Sequence, residues 1–467
     1  MNQSLQVFNT LTGKKEPFAP QDGKTVRIYA CGPTVYDLSH LGHARMAITW
    51  DVIQRYLRFI GYDVIFVRNI TDVDDKIIKR AKELGMRPEQ LAREYTFEFW
   101  RDMRSLNVAQ PDFEPRATEY ISQMIGFIEK LIAGGFAYES AGDVYFNVSS
   151  FNEYGKLSKQ NIEQLIVGSR EQARSQQELA ELKKSPVDFA LWKRAPEGEL
   201  GWQSPWGYGR PGWHTECSAM IRDVLGETID IHGGGEDLVF PHHENEIAQS
   251  ESLNHKPLAR FWLHNGFVQV NAEKMSKSLG NFSTIQDLLV AYPADAIRLL
   301  ILQTHYRNPI DFTPESLQAA KTVSRQLVRA ATQDAPETNG SETRFESIEK
   351  FEAEFTEAMN NDFNTAVALS ALFALSDRVF QTDEPAEKAA CILTLRKYAG
   401  ILGLTLEDTR KVLDNTTAQR IVDILLELRK EARAKKDYST SDVIRTELTK
   451  LGINVMDTTG GSTWERT

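Results

Sequence analysis

Residues 24–70 constrain this chain more than any other stretch. In KTVRIYAC (24–31), Val26, Ile28 and Ala30 alternate with Thr25, Arg27 and Tyr29, the period of a buried strand. The strand ends in the turn signal Cys31-Gly32-Pro33. An apolar-rich helix is predicted from about Ala44 to Ile60; Gly61-Tyr62-Asp63 breaks it, and VIFVR (64–68) reads as a second strand. Strand, helix and strand in so short a span make a βαβ unit, which demands a parallel sheet with its crossover helix packed on one face.

The rest of the chain fits around that unit. Residues 73–107 are charged and helical in pattern, whereas about 112–205 is less regular, with one helix (TEYISQMIGFIEKLIAGG) and one strand-like stretch (DVYFNV). That segment reads as an insertion between two halves of a nucleotide-binding fold. Strand Ile229–His232, a Gly233–Gly235 turn, a helix after Pro241, strand Gly266–Val270, a Lys-containing loop at 273–281 and helix Asp295–Gln303 follow. From Pro314 apolar residues recur at helical spacing through 315–333, 345–359, 364–381 and 385–402, the pattern of a helical bundle. The loop 334–343 (DAPETNGSET) is expected to be exposed. Two more helices (about 417–436 and 439–451), the strand GINVMD and a Gly-Gly turn close the chain. The expected class is α/β: a Rossmann-like parallel-sheet catalytic domain (1–313, with 112–205 inserted), an α-helical bundle (314–410) and a small C-terminal α/β region (411–467).

Composition excludes several functions. No apolar run approaches the about 18 residues of a membrane span, so no membrane partner is expected, and the sparse cysteines fit a reducing cytoplasm. The three cysteines, Cys31, Cys217 and Cys391, are too few and too far apart for a disulfide framework. They remain available for metal or burial, and Cys391, within the bundle pattern, reads as a small apolar core residue. A net charge of −11 argues against a broadly basic nucleic-acid coat. The densest basic run, Arg429–Lys436, has five basic residues in eight.

Three stretches carry chemistry. In Phe-Pro-His-His-Glu-Asn-Glu (240–246), Pro241 suits the first turn of a helix. His242 and Glu246 then share one face, which makes half of a divalent-metal site or simply an acidic helix start. His243 points elsewhere. His40-Leu-Gly-His43 puts two imidazoles on one face of a helix start after the first strand. Gly42 lets backbone approach a planar ring, and the helix N-terminus supplies donors for phosphate, as ATP binding needs. Lys274-Met-Ser-Lys277-Ser places two point charges where they can follow charge onto departing pyrophosphate.

HxGH after the first strand, with KMSKS some 230 residues later, resembles the signature of class I aminoacyl-tRNA synthetases. Cys31-Gly-Pro-Thr-Val-Tyr-Asp, Arg68-Asn-Ile-Thr-Asp-Val-Asp-Asp-Lys76, Gly212-Trp-His-Thr-Glu-Cys-Ser-Ala-Met220, the stretch 240–250 and Asn361-Asp-Phe-Asn-Thr365 narrow the resemblance to cysteinyl-tRNA synthetases. It runs from near Phe8 to Trp464; Leu41, where the class motif commonly has isoleucine, is a conservative departure. The resemblance implies one zinc ion held by Cys31, Cys217, His242 and Glu246, and two thiolates with an imidazole favour zinc over harder cations. It implies ATP binding by His40, Gly42, His43 and Lys277, with catalysis by His40, His43, Lys274 and Lys277, and Mg²⁺ accompanying ATP. Thr71, Trp213 and His232 fall in motifs near the amino-acid pocket. The implied reaction is activation of L-cysteine as an adenylate and transfer to the terminal adenosine of tRNA(Cys), by a monomer. The bundle is then tRNA-contacting and residues 411–467 anticodon-reading, with Arg429–Lys436 against phosphates and Tyr438, Trp464, Asp442 and Asp457 at unpaired bases. Two alternatives stay open: a ligase that passes activated cysteine to an amino sugar, which would lack the anticodon region, and a non-catalytic relative that binds tRNA or senses zinc.

Overall fold

The computed structural model describes residues 4–161, 182–270, 273–274, 283–334, 345–407, 415–450, 453–458 and 461–466. Two compact units divide it, Met1–Leu406 and Glu407–Thr467.

In the first unit a hairpin, β1 (Gln6–Asn9) and β2 (Lys14–Pro17), precedes the predicted βαβ: β3 (Thr25–Ala30), α1 (Leu41–Phe59) and β4 (Asp63–Arg68). The charged helical segment is two helices, α2 (Asp75–Leu84) and α3 (Pro88–Ser105), parted at Gly85. The segment 112–205 is more ordered than its pattern suggested. It holds α4 (Ile121–Ala133) and strands β5 (Ala137–Ser140), β6 (Asp143–Phe146) and β7 (Phe189–Arg194). These strands continue into β8 (Gly209–Pro211) as one antiparallel sheet. Its strands are three to six residues long, and β6 pairs with a strand some 40 residues away. Alternation within short windows does not reveal such a sheet.

Helix α5 (Trp213–Val224), β9 (Ile229–Gly235), α6 (Glu244–Asn254) and β10 (Ala259–Asn265) complete the parallel sheet, ordered β10-β9-β3-β4. Two expectations are corrected here. Gly233–Gly235 is not a turn but the end of β9, where β10 runs so close that a Cβ on Gly233 would lie 1.9 Å from the Leu263 carbonyl oxygen. The edge strand β10, ARFWLHN, was not foreseen, because its Arg and His break the apolar run while nearly all of it is buried. The strand predicted from Gly266 is the shorter β11 (Val268–Val270), which pairs antiparallel with β12 (Glu273–Lys274).

After α7 (Ile285–Ala291), α8 (Ala294–Leu302) and β13 (Ile310–Asp311) come the four bundle helices: α9 (Pro314–Ala331), α10 (Glu346–Asn360), α11 (Thr365–Gln381) and α12 (Pro385–Ile401). One continuous apolar core joins the bundle to β3, α1 and α8. Within it Arg298 of α8 and Asp51 of α1 form a fully buried ion pair, Nη2 to Oδ2 at 2.6 Å. The same guanidinium donates to the carbonyls of Leu106 and Leu402. Removing one partner would leave a charge stranded in apolar surroundings, so Arg298 pins α8 and, through Leu402, the end of α12 to the helix that bears His43. Of the loop expected to be exposed at 334–343, only Asp334 is described, and it is exposed; residues 335–343 lie outside the described residues.

The second unit packs α13 (Asn415–Ala434) and α14 (Tyr438–Lys450) with a hairpin, β14 (Ile453–Thr458) and β15 (Gly461–Arg466). Val422, Leu426, Leu448 and Val455 form its core, with Trp464 against it. Among the described residues no helix is long and apolar enough to cross a membrane.

Candidate active site and metal centre

The cleft opens at the C-terminal ends of β3 and β9, where parallel sheets gather ligand-binding groups. It encloses about 340 Å³, with Cys31 and Trp213 among its walls together with His40, Gly42 and His43. Both HxGH imidazoles build the start of α1. The backbone N–H of Gly42 donates to His40 Nδ1 at 3.0 Å, and that of His40 donates to His43 Nδ1 at 3.2 Å. With Nδ1 accepting, each neutral ring carries its proton on Nε2. The rings lie 3.9 Å apart between centroids. Gly42 is needed for the His40 ring itself, since a Cβ there would stand 2.8 Å from its Cε1. The planar ring that Gly42 admits is therefore the protein's own.

Cys31 directly follows β3, Cys217 lies on α5, Glu246 is in the first turn of α6 and His242 in the turn just before it. Phe240 is extended (φ −139°, ψ 133°), so the chain bends there, and regular helix begins at Glu244 and not at Pro241. Even so, His242 Nε2 and Glu246 Oε1 are 2.8 Å apart, the face-sharing that the spacing predicts. Cys31 Sγ lies 3.8 Å from Cys217 Sγ and 3.6 Å from Glu246 Oε1, and Cys217 Sγ lies 3.6 Å from His242 Nε2. Around a tetrahedral zinc with bonds of about 2.3 Å to sulfur and 2.0 Å to nitrogen, the edges would be roughly 3.8 Å and 3.5 Å. All four donors are buried, and the set fits a four-coordinate metal.

A second buried quartet, Cys31, His232, His243 and Glu246, shares two of these donors. Ligand histidines are normally held through their other nitrogen. His242 meets this condition, its Nδ1 lying 2.9 Å from His214 Nδ1. His232 does not: Nε2 is engaged by Glu246 Oε2 at 2.6 Å, and its buried Nδ1 has no partner among the described residues. His243 reaches Cys31 Sγ at 3.3 Å and is held by His264 at 2.8 Å. The first quartet, with two sulfurs and a supported imidazole, is the better metal site.

Charge in the cluster follows from packing. The hydrogen bond from Cys31 holds the Cys217 thiol down to about 6 against the opposing effects of burial and Glu246, with His242 helping. Burial, and then Cys217 itself, push Cys31 well up. Burial opposes a charge on His242, yet Glu246 and Cys217 raise it to about 10. Burial likewise opposes the Glu246 carboxylate, and His232 and His242 outweigh it, holding its pKa well below the usual range. The packing therefore favours the charged forms of Cys217, His242 and Glu246 side by side, charges that a divalent cation can reorganise.

Of the three pocket residues named from motifs, only Trp213 is on the cleft wall, stacked on His242 with centroids 4.1 Å apart. Thr71 stands behind the wall, its hydroxyl donating to Glu216 at 3.0 Å, and His232 stands behind Glu246. Lys274 is described only by its backbone, at the end of the β11–β12 pair, and Lys277 lies outside the described residues. Sequence reasoning missed Arg45, two residues after His43. It is buried on the cleft wall and donates to the carbonyls of Phe267, Tyr306 and Asn308, so it ties α1 to the segments that lead into β11 and β13. His214 and His264 were missed too; the only signal for His214 was its place three residues before Cys217.

In the second unit Tyr438 is 60% exposed and Asp442 is exposed, while the Asp457 side chain lies outside the described residues. One expectation there changes, that of an exposed Arg429. Trp464 packs on the small core and donates to Asp423 at 3.3 Å, and Arg429 is buried, leaving Lys430, Arg433, Lys435 and Lys436 as the exposed part of the basic run.

The sheet, its helices and the HxGH cleft define a class I aminoacyl-tRNA synthetase fold. Residues 17–322 match the tRNA synthetases class I (C) catalytic domain, 354–407 the DALR domain and 420–464 the cysteinyl-tRNA ligase anticodon binding domain. The fold is similar to that of Mycobacterium tuberculosis methionyl-tRNA synthetase in complex with methionyl-adenylate, at 17% identity and a TM-score of 0.58, covering 86% of this chain and 94% of the other. The cysteine–tRNA ligase of Heliobacterium modesticaldum is 46% identical over 99% of this chain and 100% of its own length. That of Legionella pneumophila is 47% identical over 99% of each. The chain belongs to the cysteine–tRNA ligase family.

Proposed function

We propose that the protein activates L-cysteine with ATP as cysteinyl-adenylate, releasing pyrophosphate, and transfers the cysteinyl group to a hydroxyl of the 3′-terminal adenosine of tRNA(Cys), releasing AMP. The observation that carries this reading is one cleft whose walls hold both Cys31, a member of the buried Cys/His/Glu cluster, and the HxGH pair His40 and His43. Cysteine bound at the Cys31 end brings its carboxylate toward ATP steadied at the α1 end. Nε2–H of His40 and His43 donates to phosphate oxygens, and Lys274 and Lys277 draw charge toward the departing pyrophosphate, with Mg²⁺ accompanying ATP. The match of residues 420–464 to an anticodon-binding domain supports tRNA as acceptor over an amino sugar. The protein would act in the cytoplasm as a monomer.

Cys31, Cys217, His242 and Glu246 would hold zinc, whose soft affinity for thiolate over hydroxyl supplies selectivity for cysteine. Serine differs by one atom, and pocket shape alone rejects such a competitor by only about 100-fold. Accuracy of about ten-thousandfold needs roughly 5.5 kcal/mol. Trp213 covers the His242 face of the cluster and limits access of bulkier side chains, while His214 and His232 orient the ligands.

Cysteine-dependent ATP–pyrophosphate exchange, followed by charging of a tRNA(Cys) transcript, tests the reading. Both activities are expected with cysteine, and neither above background with serine. Exchange without tRNA charging would favour the amino-sugar ligase; absence of exchange would favour a binding protein.

A further inference from the structure

Away from the cleft, the exposed face of α3 and the chain after it enclose a groove of about 550 Å³, lined by Phe97, Trp100, Arg101, Arg104, Gln110 and Glu114 among others. Phe97 is 57% exposed and meets the Trp100 indole edge-on, with centroids 5.5 Å apart and planes at 85°. The indole cannot swing away. Its Nε1 donates to Glu114 Oε2 at 2.5 Å, the Arg116 guanidinium stands 5.4 Å from the ring centroid, and Glu114 is itself held by Arg68. The groove thus presents a pre-ordered aromatic pair, which loses little side-chain entropy on binding a flat ring.

Two further groups on the rim are uncommitted. The side chains of Arg104 and Gln110 are exposed and make no hydrogen bond or ion pair among the described residues. Two guanidiniums (Arg101, Arg104) and one carboxylate (Glu114) line the groove; Arg101 is paired with Glu98 and Glu114 with Arg68, so Arg104, with Arg116 over the Trp100 ring, supplies positive charge on a chain of net charge −11. An apolar peptide would leave Arg104 and Gln110 unused, and a small inorganic anion would leave the rings unused. A nucleotide uses all of them: its base stacks, its phosphate takes the guanidinium, and an amide reads a base edge.

The groove also flanks the cleft. Glu98, adjacent to Phe97 on α3, accepts from Gln286 Nε2 of α7 at 2.6 Å. Helix α7 begins after Thr284, which forms a backbone bridge with His40.

We propose that this groove docks one unpaired nucleotide of the tRNA engaged at the cleft, with its base against Phe97 and Trp100 and its phosphate on Arg104; this rests on the tRNA-charging reading. The test uses the full chain with zinc and a tRNA(Cys) transcript, comparing wild type with the Phe97→Ala/Arg104→Ala double variant. The KM for tRNA is expected to rise roughly tenfold or more. The slope of log affinity against log salt should become shallower by about 0.7 for the lost phosphate contact. Cysteine-dependent exchange stays unchanged, which also reports that the variant is folded, and Phe97→Tyr/Arg104→Lys restores most of the affinity. A tRNA KM within twofold of wild type with an unaltered salt slope would overturn the proposal. So would AMP binding in the groove with tRNA KM unaffected, which would make it a small-nucleotide site. Absence of exchange in the wild type would overturn instead the reading on which the proposal rests.

Discussion

Replacing Cys217 with serine is expected to empty the metal site and to lower cysteine-dependent pyrophosphate exchange by about 1,000-fold, beyond the roughly 10–100-fold that loss of an outer-shell partner costs. The substitution changes one atom in a fully packed position, so folding should survive it. What disappears is a soft anionic donor. Cys217 is the more acidic of the two sulfurs, held at about 6 chiefly by the hydrogen bond from Cys31. A serine hydroxyl there stays protonated at any pH the protein survives, leaving His242 and Glu246 paired with each other at 2.8 Å. Zinc analysis and exchange on the purified variant check this together. Full zinc content with normal exchange would show that Cys217 is a packing residue only.

His43→Asn is expected to reduce exchange by about 100- to 1,000-fold, the range for removing one preorganised donor from a developing charge. Asparagine keeps an acceptor near the His40 N–H, so the start of α1 should persist, but the Nε2–H donor is gone. Zinc content should match wild type, because His43 is not one of the four donors of the cluster. An exchange rate within a fewfold of wild type would take His43 out of the reaction.

The sequence was most informative where one period governs a long stretch. The four bundle helices start and end within about two residues of the apolar pattern, and β3, α1 and β4 follow theirs. It was least informative where structure depends on distant pairing. Strand β10 has Arg and His interrupting its apolar residues, yet nearly all of it is buried once it pairs with β9 and packs into the apolar cores, and the β5–β8 sheet joins strands that no local window unites. The site divides in the same way. His242 and Glu246 share a helical face that spacing alone predicts, whereas Cys31 and Cys217 meet them only because β3 and α5 converge. The same convergence brings His214, His232, His243 and His264 around these four side chains, and it places His232 behind Glu246 and not on the cleft wall. Arg429 went astray for a simpler reason. In a unit of about 60 residues the core is small, and side chains that look like binding groups are needed to fill it.

The claim at the centre of this account is that the Cys31–Cys217–His242–Glu246 cluster reads the substrate thiol. The most direct measurement is the visible and near-ultraviolet spectrum of the cobalt-substituted protein, titrated with cysteine and separately with serine. A new sulfur-to-cobalt charge-transfer band with cysteine, absent with serine, is the predicted result. A spectrum that cysteine leaves unchanged would contradict it.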